Sequence, residues 1–223
     1  MAADHITPAQ LTEEKSLLQL YKLTYSFPVS RFNVLSTLFI GICCAAYLSW
    51  VQPGGTEAGV LLKETLKLGM SLVPSILGFL IAGFTVFVTV TKPGVFSAMA
   101  KKEFAESGQS YLKYNLSAFM LAFAHYVAYL AVCVLLIYFG QPNGPLTKIA
   151  LWTASLTESH ASLTYNVLLS ACAIAFACWT WYLVMLLKSF IYNVYQVVVT
   201  SVRWDLEEEV KANAASSSSA HPG

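Results

Sequence analysis

Four stretches of this chain, 33–51, 68–90, 115–139 and 165–187, contain no Asp, Glu, Lys or Arg. Each is close to the length of about 20 apolar residues that a helix needs to cross a hydrocarbon core of about 30 Å. Lipid offers no partner for backbone N–H and C=O groups, so a segment crossing it must satisfy them internally, as a helix does. The expected fold class is all-α: a multi-pass transmembrane four-helix protein. It carries an amphipathic N-terminal helix and a long last helix that extends into the cytoplasm.

Composition supports this. The chain is 57% hydrophobic and 11% charged, with mean hydropathy +0.60. A soluble domain carries about 25% charged residues, and a soluble core of this size would be wrapped in charged helix faces.

Breakers and caps divide the 223 residues into three regions, 1–30, 31–202 and 203–223. Asp4, Glu13 and Glu14 stand where a signal peptide needs positive charge and then an apolar run. Thr7, Pro8 and Gln10 instead form a helix start with a capping box. Leu11, Leu18, Tyr21 and Tyr25 then recur at helical spacing until Ser26-Phe27-Pro28. This predicts an amphipathic helix on the membrane surface or against a neighbour.

Gln52-Pro53-Gly54-Gly55 ends the first span, Lys92-Pro93-Gly94 the second and the Gly140–Pro145 run the third. Residues 57–67 read as a short helix leading into the second span. Residues 95–114 form a charged loop, and 146–164 an interfacial one. After 187 the helical pattern continues through Phe190, Val194 and Val197 to about 202. About 38 residues would reach roughly 57 Å, longer than a bilayer core is thick. The acidic 205–209 run and the AASSSSAHPG ending predict a solvated, disordered tail.

Charge sets the orientation. Ten cations (Lys15, Lys22, Arg31, Lys92, Lys101, Lys102, Lys113, Lys188, Arg203 and Lys211) fall on the side of the two termini. Lys63, Lys67 and Lys148 fall on the other. The positive-inside rule then places both termini in the cytoplasm. Net charge +1 gives no electrostatic footprint for nucleic acid, so none is expected as a partner.

The second span carries the most informative pattern. Ser71, Ser75, Gly78, Ala82, Thr85 and Thr89 recur at spacings of three and four, which places them in one stripe on a helix. Small residues let helix backbones approach closely in lipid, and Ser or Thr can hydrogen-bond across the contact. The stripe therefore reads as a packing seam, within one subunit or between subunits. The other reading is a pore-lining face whose hydroxyls meet water or ions.

His125 is the intramembrane titratable residue, on a face with Ala118, Ala122 and Tyr129. It reads as a neutral histidine bonded to a neighbouring hydroxyl, or as a proton-linked switch. The spans lack the carboxylates that coupled transporters use. Glu158, Ser159 and His160 are sequence neighbours in an outer loop, which does not make a triad. The five cysteines fall in apolar stretches without C-x-x-C spacing. No catalytic, cofactor-binding or metal-binding residue is expected.

These features describe a non-enzymatic membrane protein, an oligomeric scaffold or sensor subunit that signals to or docks a cytosolic partner. The alternatives are a small channel or pore-forming effector and a small carrier. In length, four spans and cytoplasmic termini the chain resembles the membrane subunit of Kiwa-type bacterial phage-defence systems, which works with a cytosolic partner. The likeness is of architecture, with no motif matched residue by residue, so it carries over no functional residue. It implies a cytosolic protein as partner; with the small-residue seam and the apolar spans, the expected partners are also the lipid bilayer and a second copy of the chain, in a bacterial inner (plasma) membrane.

A reporter active only outside the cytoplasm, fused after Gly223, is expected to stay silent; strong activity would reverse the orientation.

Overall fold

Where the sequence withholds charge, the backbone forms four long helices. The computed structural model describes residues 16, 19, 22, 30–51, 56–104, 108–156 and 160–219. The expected amphipathic helix within 1–30 lies outside the described residues, as do the 52–55 turn, Glu158 and Ser159. The described residues are mostly helical, and among them are four helices long and apolar enough to cross a membrane. These are α1 (Arg31–Trp50), α2 (Thr56–Val90), α4 (Tyr111–Phe139) and α6 (Ala161–Ser219). Two shorter helices, α3 (Pro93–Lys101) and α5 (Pro145–Ser155), lie between them in sequence.

Three of the long helices exceed the charge-free stretches. α2 absorbs 57–67 without a break, and Glu57 in its first turn complements the helix dipole. At about 1.5 Å per residue α2 is about 52 Å long, with Pro74 inside it. α6 is about 88 Å long by the same measure. It does not stop near 202 to give way to a disordered tail but runs on to Ser219. Residues 206–215 are rich in Leu, Glu, Lys and Ala, all strong helix formers. Arg203 also bonds Glu207 one turn on, Nε to Oε1 at 2.8 Å.

The two long loops hold structure as well. Pro93 opens α3 at a position where its missing N–H costs nothing. An antiparallel pair follows, β1 (Glu103–Phe104) with β2 (Gln109–Ser110). Gly108 nearby takes φ 65°, the left-handed conformation that glycine adopts without strain. α5 occupies much of the segment read as an interfacial loop. Leu146, Ile149, Leu151 and Trp152 are exposed on it.

The chain divides into two compact units. The first comprises Val29–Phe79 and Ala122–Lys188. Its core holds Val73, Ile76, Tyr126, Tyr129, Cys133, Phe176 and Leu183. Glycines permit the close helix approaches here. A Cβ on Gly69 would overlap the Tyr129 phenol, and one on Gly41 would sit 3.0 Å from Cys178 Sγ. Tyr129 has little room to yield, because its ring stacks on Phe176 at 4.8 Å and meets Trp179 edge-on at 5.4 Å.

The second unit includes Leu80–Leu121 and Ser189–Gly223. Five phenylalanines pack at its centre. Phe119 lies 5.1 Å from Phe190 and 5.2 Å from Phe87, which meets Phe96 at 5.6 Å, and Phe84 stands edge-on to Phe119 at 5.9 Å. Such tilted and edge-on pairs contribute about 0.5–1.5 kcal/mol each beyond their buried area. Gly83 admits Phe190, whose Cε1 would lie 3.1 Å from an added Cβ. Lys92 pairs with Asp205 at 2.9 Å.

Gly69→Leu is expected to destabilise the first unit by about 1–3 kcal/mol through overpacking. Thermal unfolding of purified protein, followed by tryptophan fluorescence, should show a lower midpoint; an unchanged midpoint would mean that the Tyr129 contact does not constrain the fold.

Candidate functional site

The small-residue stripe lies on the outward face of α2. Ser71, Ser75, Gly78, Ala82, Thr85 and Thr89 are all exposed. The inward face of the same helix carries Ala58, Thr65, Val73, Ile76, Leu80 and Phe87, all buried. Gly78 stands two residues from both Ile76 and Leu80, and two residues at 100° each turn a helix by about 200°. The chain therefore packs one face of α2 into its own core and presents the small-residue face to its surroundings.

Gly78 and Gly83 show the contrast locally. A Cβ on Gly78 would meet nothing within 4 Å, whereas one on Gly83 would press on Phe190. Gly83 serves packing inside the chain; Gly78 does not. Exposed Leu72, Phe79 and Val86 follow the stripe at seven-residue intervals on one flank, and Ile81 and Val88 on the other. Small side chains thus form a furrow flanked by large apolar ones, Ser71 to Gly78 in the first unit and Ala82 to Thr89 in the second.

The furrow's threonines bond to their own helix. Thr85 Oγ1 donates to the Ile81 carbonyl at 2.9 Å, and Thr89 Oγ1 to the Thr85 carbonyl at 2.9 Å. Threonines inside helices commonly bond the carbonyl one turn earlier in this way. The oxygen lone pairs remain as acceptors for an incoming group.

His125 belongs to a different contact. It is half-buried on α4, with its ring 5.6 Å from that of Tyr182 on α6 and nearly perpendicular to it. Of the residues expected on its face, Ala122 and Tyr129 are buried. The more constrained polar groups are Tyr129, expected only as a neighbour of His125, and Tyr126, which sequence reasoning did not name. Tyr126 Oη donates to the Leu183 carbonyl at 2.6 Å. Tyr129 Oη lies 2.7 Å from Thr180 Oγ1, which itself donates to the Phe176 carbonyl at 2.8 Å. A hydroxyl has one proton, so Tyr129 is the donor to Thr180. The line Ala122, Tyr126, Tyr129, Cys133 recurs at spacings of four, three and four, which could have marked this face as inward.

A second unforeseen pair ties α1 to α6. Lys188 Nζ donates to Oδ1 of buried Asn33 at 3.1 Å and stands 4.4 Å from the centre of the Phe32 ring. All five cysteines are free thiols. Among the described residues no three His, Cys, Asp or Glu side chains stand together in a way that could hold a metal ion.

No protein-family model, curated protein or solved structure matches this chain. The residues and their geometry therefore carry the functional argument alone.

Thr180→Val is expected to cost more stability than Tyr129→Phe. The first strands a buried phenol O–H, worth about 1–3 kcal/mol, with only the weakly accepting Cys133 sulfur beside it. The second removes donor and need together, and intramembrane hydrogen bonds average about 0.6 kcal/mol. Unfolding midpoints of the two variants decide the order; equal losses would mean that Thr180 is not the phenol's essential acceptor.

Proposed function

We propose that this chain is a non-enzymatic, four-span integral membrane protein that assembles as a homo-oligomer through α2 and acts as a scaffold or sensor subunit for a cytosolic partner. The observation that carries this reading is the exposure of all six stripe residues on the face of α2 opposite its own core. A face turned to lipid alone gains nothing from small residues, because acyl chains pack as well on Leu or Phe. A face turned to another helix gains close backbone approach, the main source of helix association where no hydrophobic effect operates.

The distribution of ten cations against three supports a cytoplasmic location for both termini. With that orientation, α6 supplies the surface for a partner. Its length of about 88 Å far exceeds a hydrocarbon core of about 30 Å. Tyr192, Tyr195, Val199, Val202, Leu206 and Val210 are exposed at spacings of three and four along its later turns. The membrane is a bacterial inner membrane in this reading.

Packing is preferred over conduction because six exposed small residues on one face suit close helix approach. The threonine bonds do not separate the two, since the lone pairs of Thr85 and Thr89 serve a helix donor or a cation alike. A channel remains the outcome that conductance in liposomes would reveal.

Native mass spectrometry of wild type and Gly78→Leu tests the proposal. A discrete wild-type oligomer that Gly78→Leu dissociates is expected, because leucine fills the furrow without touching the chain's own core. A monomer in both forms would contradict oligomerisation through α2.

A further inference from the structure

A groove of about 550 Å³ opens between α1 and α6 within the first unit. Val34, Thr37, Gly41 and Ala45 line it from α1, and Cys178 and Tyr182 from α6. The α1 residues recur at spacings of three and four, so the groove follows the helix axis. Its floor is low because Gly41 and Ala45 are small, and its lining is almost wholly apolar. From Val34 to Ala45 it runs about 16 Å. Half of a hydrocarbon core of about 30 Å is about 15 Å, the depth of one leaflet.

The end of the groove at Val34 is cationic. Lys188 is anchored one residue before Val34, by its hydrogen bond to Asn33 and its position over the Phe32 ring. Only one of its three N–H donors goes to Asn33 Oδ1. Arg31 is exposed three residues before Val34, on the same face of α1. Neither 30–51 nor 160–204 contains an Asp or Glu that could neutralise this end. An apolar trough one leaflet deep with a fixed ammonium at its mouth matches a molecule with one long chain lying below a negative head.

We infer that this groove seats an acyl chain of an anionic phospholipid, with Lys188 and Arg31 holding its phosphate. Arg31 can grip two phosphate oxygens in a fork, and Lys188 adds a charge-assisted hydrogen bond. The inference rests on the membrane reading proposed above.

The test uses full-length protein in mild detergent, with equimolar phosphatidylglycerol and phosphatidylcholine, and counts bound lipid by native mass spectrometry. Wild type is expected to retain one phosphatidylglycerol per chain, preferred over phosphatidylcholine about fivefold or more, the effect of one cation near an anionic head. Lys188→Gln should lower the preference about fivefold while Lys188→Arg keeps it, and Lys188→Gln combined with Arg31→Gln should bring the two lipids to parity. Ala45→Trp, which fills the groove from an exposed position, should lower retention of both. Equal binding by wild type, or a preference that survives removal of both Lys188 and Arg31, overturns the proposal. Displacement of the lipid by millimolar glycerol phosphate also overturns it, since the site would then recognise a free phosphate without a chain. Extraction of cell membranes with alkaline carbonate separates the two levels: release into the soluble fraction contradicts the membrane reading, whereas retention without lipid preference contradicts the groove alone.

Discussion

In hydrocarbon every backbone N–H and C=O must find its partner within the protein. On the proposed membrane reading, that constraint is why α1, α2, α4 and α6 run unbroken through their apolar stretches, with turns confined to the segments between them. It extends to side chains. Thr65, Thr85, Thr89 and Thr180 each donate to the carbonyl four residues earlier, and Tyr126 donates to a carbonyl on α6. These side chains spend their protons locally or across one helix contact.

With hydrogen bonds settled inside the helices, shape decides which faces meet. Gly69 lets Tyr129 pass, Gly41 faces Cys178, and Gly83 faces Phe190. Each glycine removes a Cβ where a specific side chain arrives. Gly78 breaks this rule, since no atom of the described residues arrives there. A helix glycine costs about 1 kcal/mol relative to alanine, and it gives no return inside this chain. The proposed second copy would supply the missing neighbour. The same logic separates the two candidate sites. The α2 furrow is flanked by exposed large side chains and suits a helix, while the groove between α1 and α6 ends at fixed cations and suits a lipid.

Much of this architecture was legible in the sequence because charge is costly in lipid. The absence of Asp, Glu, Lys and Arg marked the four long helices, and the three-four spacing of Ser71 to Thr89 marked one face of α2. Which way that face points was not legible, because a small-residue stripe serves equally within a chain or between chains. Long-range pairings were also hidden. Nothing near Asn33 or Lys188 announces a contact across 155 positions, and a lone Gly69 in a helical pattern does not name Tyr129 as its neighbour. The helical extension to Ser219 was missed for a different reason. Its last serines resemble a low-complexity linker, but they follow a run of strong helix formers that carries the helix past them.

Oxidative cross-linking of single-cysteine variants, scanned from residue 71 to 89 in a background without the five native cysteines and performed in native membranes, tests the outward-facing seam most directly. The account predicts cross-linked dimers that peak at 71, 75, 78, 82, 85 and 89 and fall away at the core-facing positions 73, 76, 80 and 87. A flat profile, or maxima on the flanking ridges at 79, 81, 86 and 88, would contradict it.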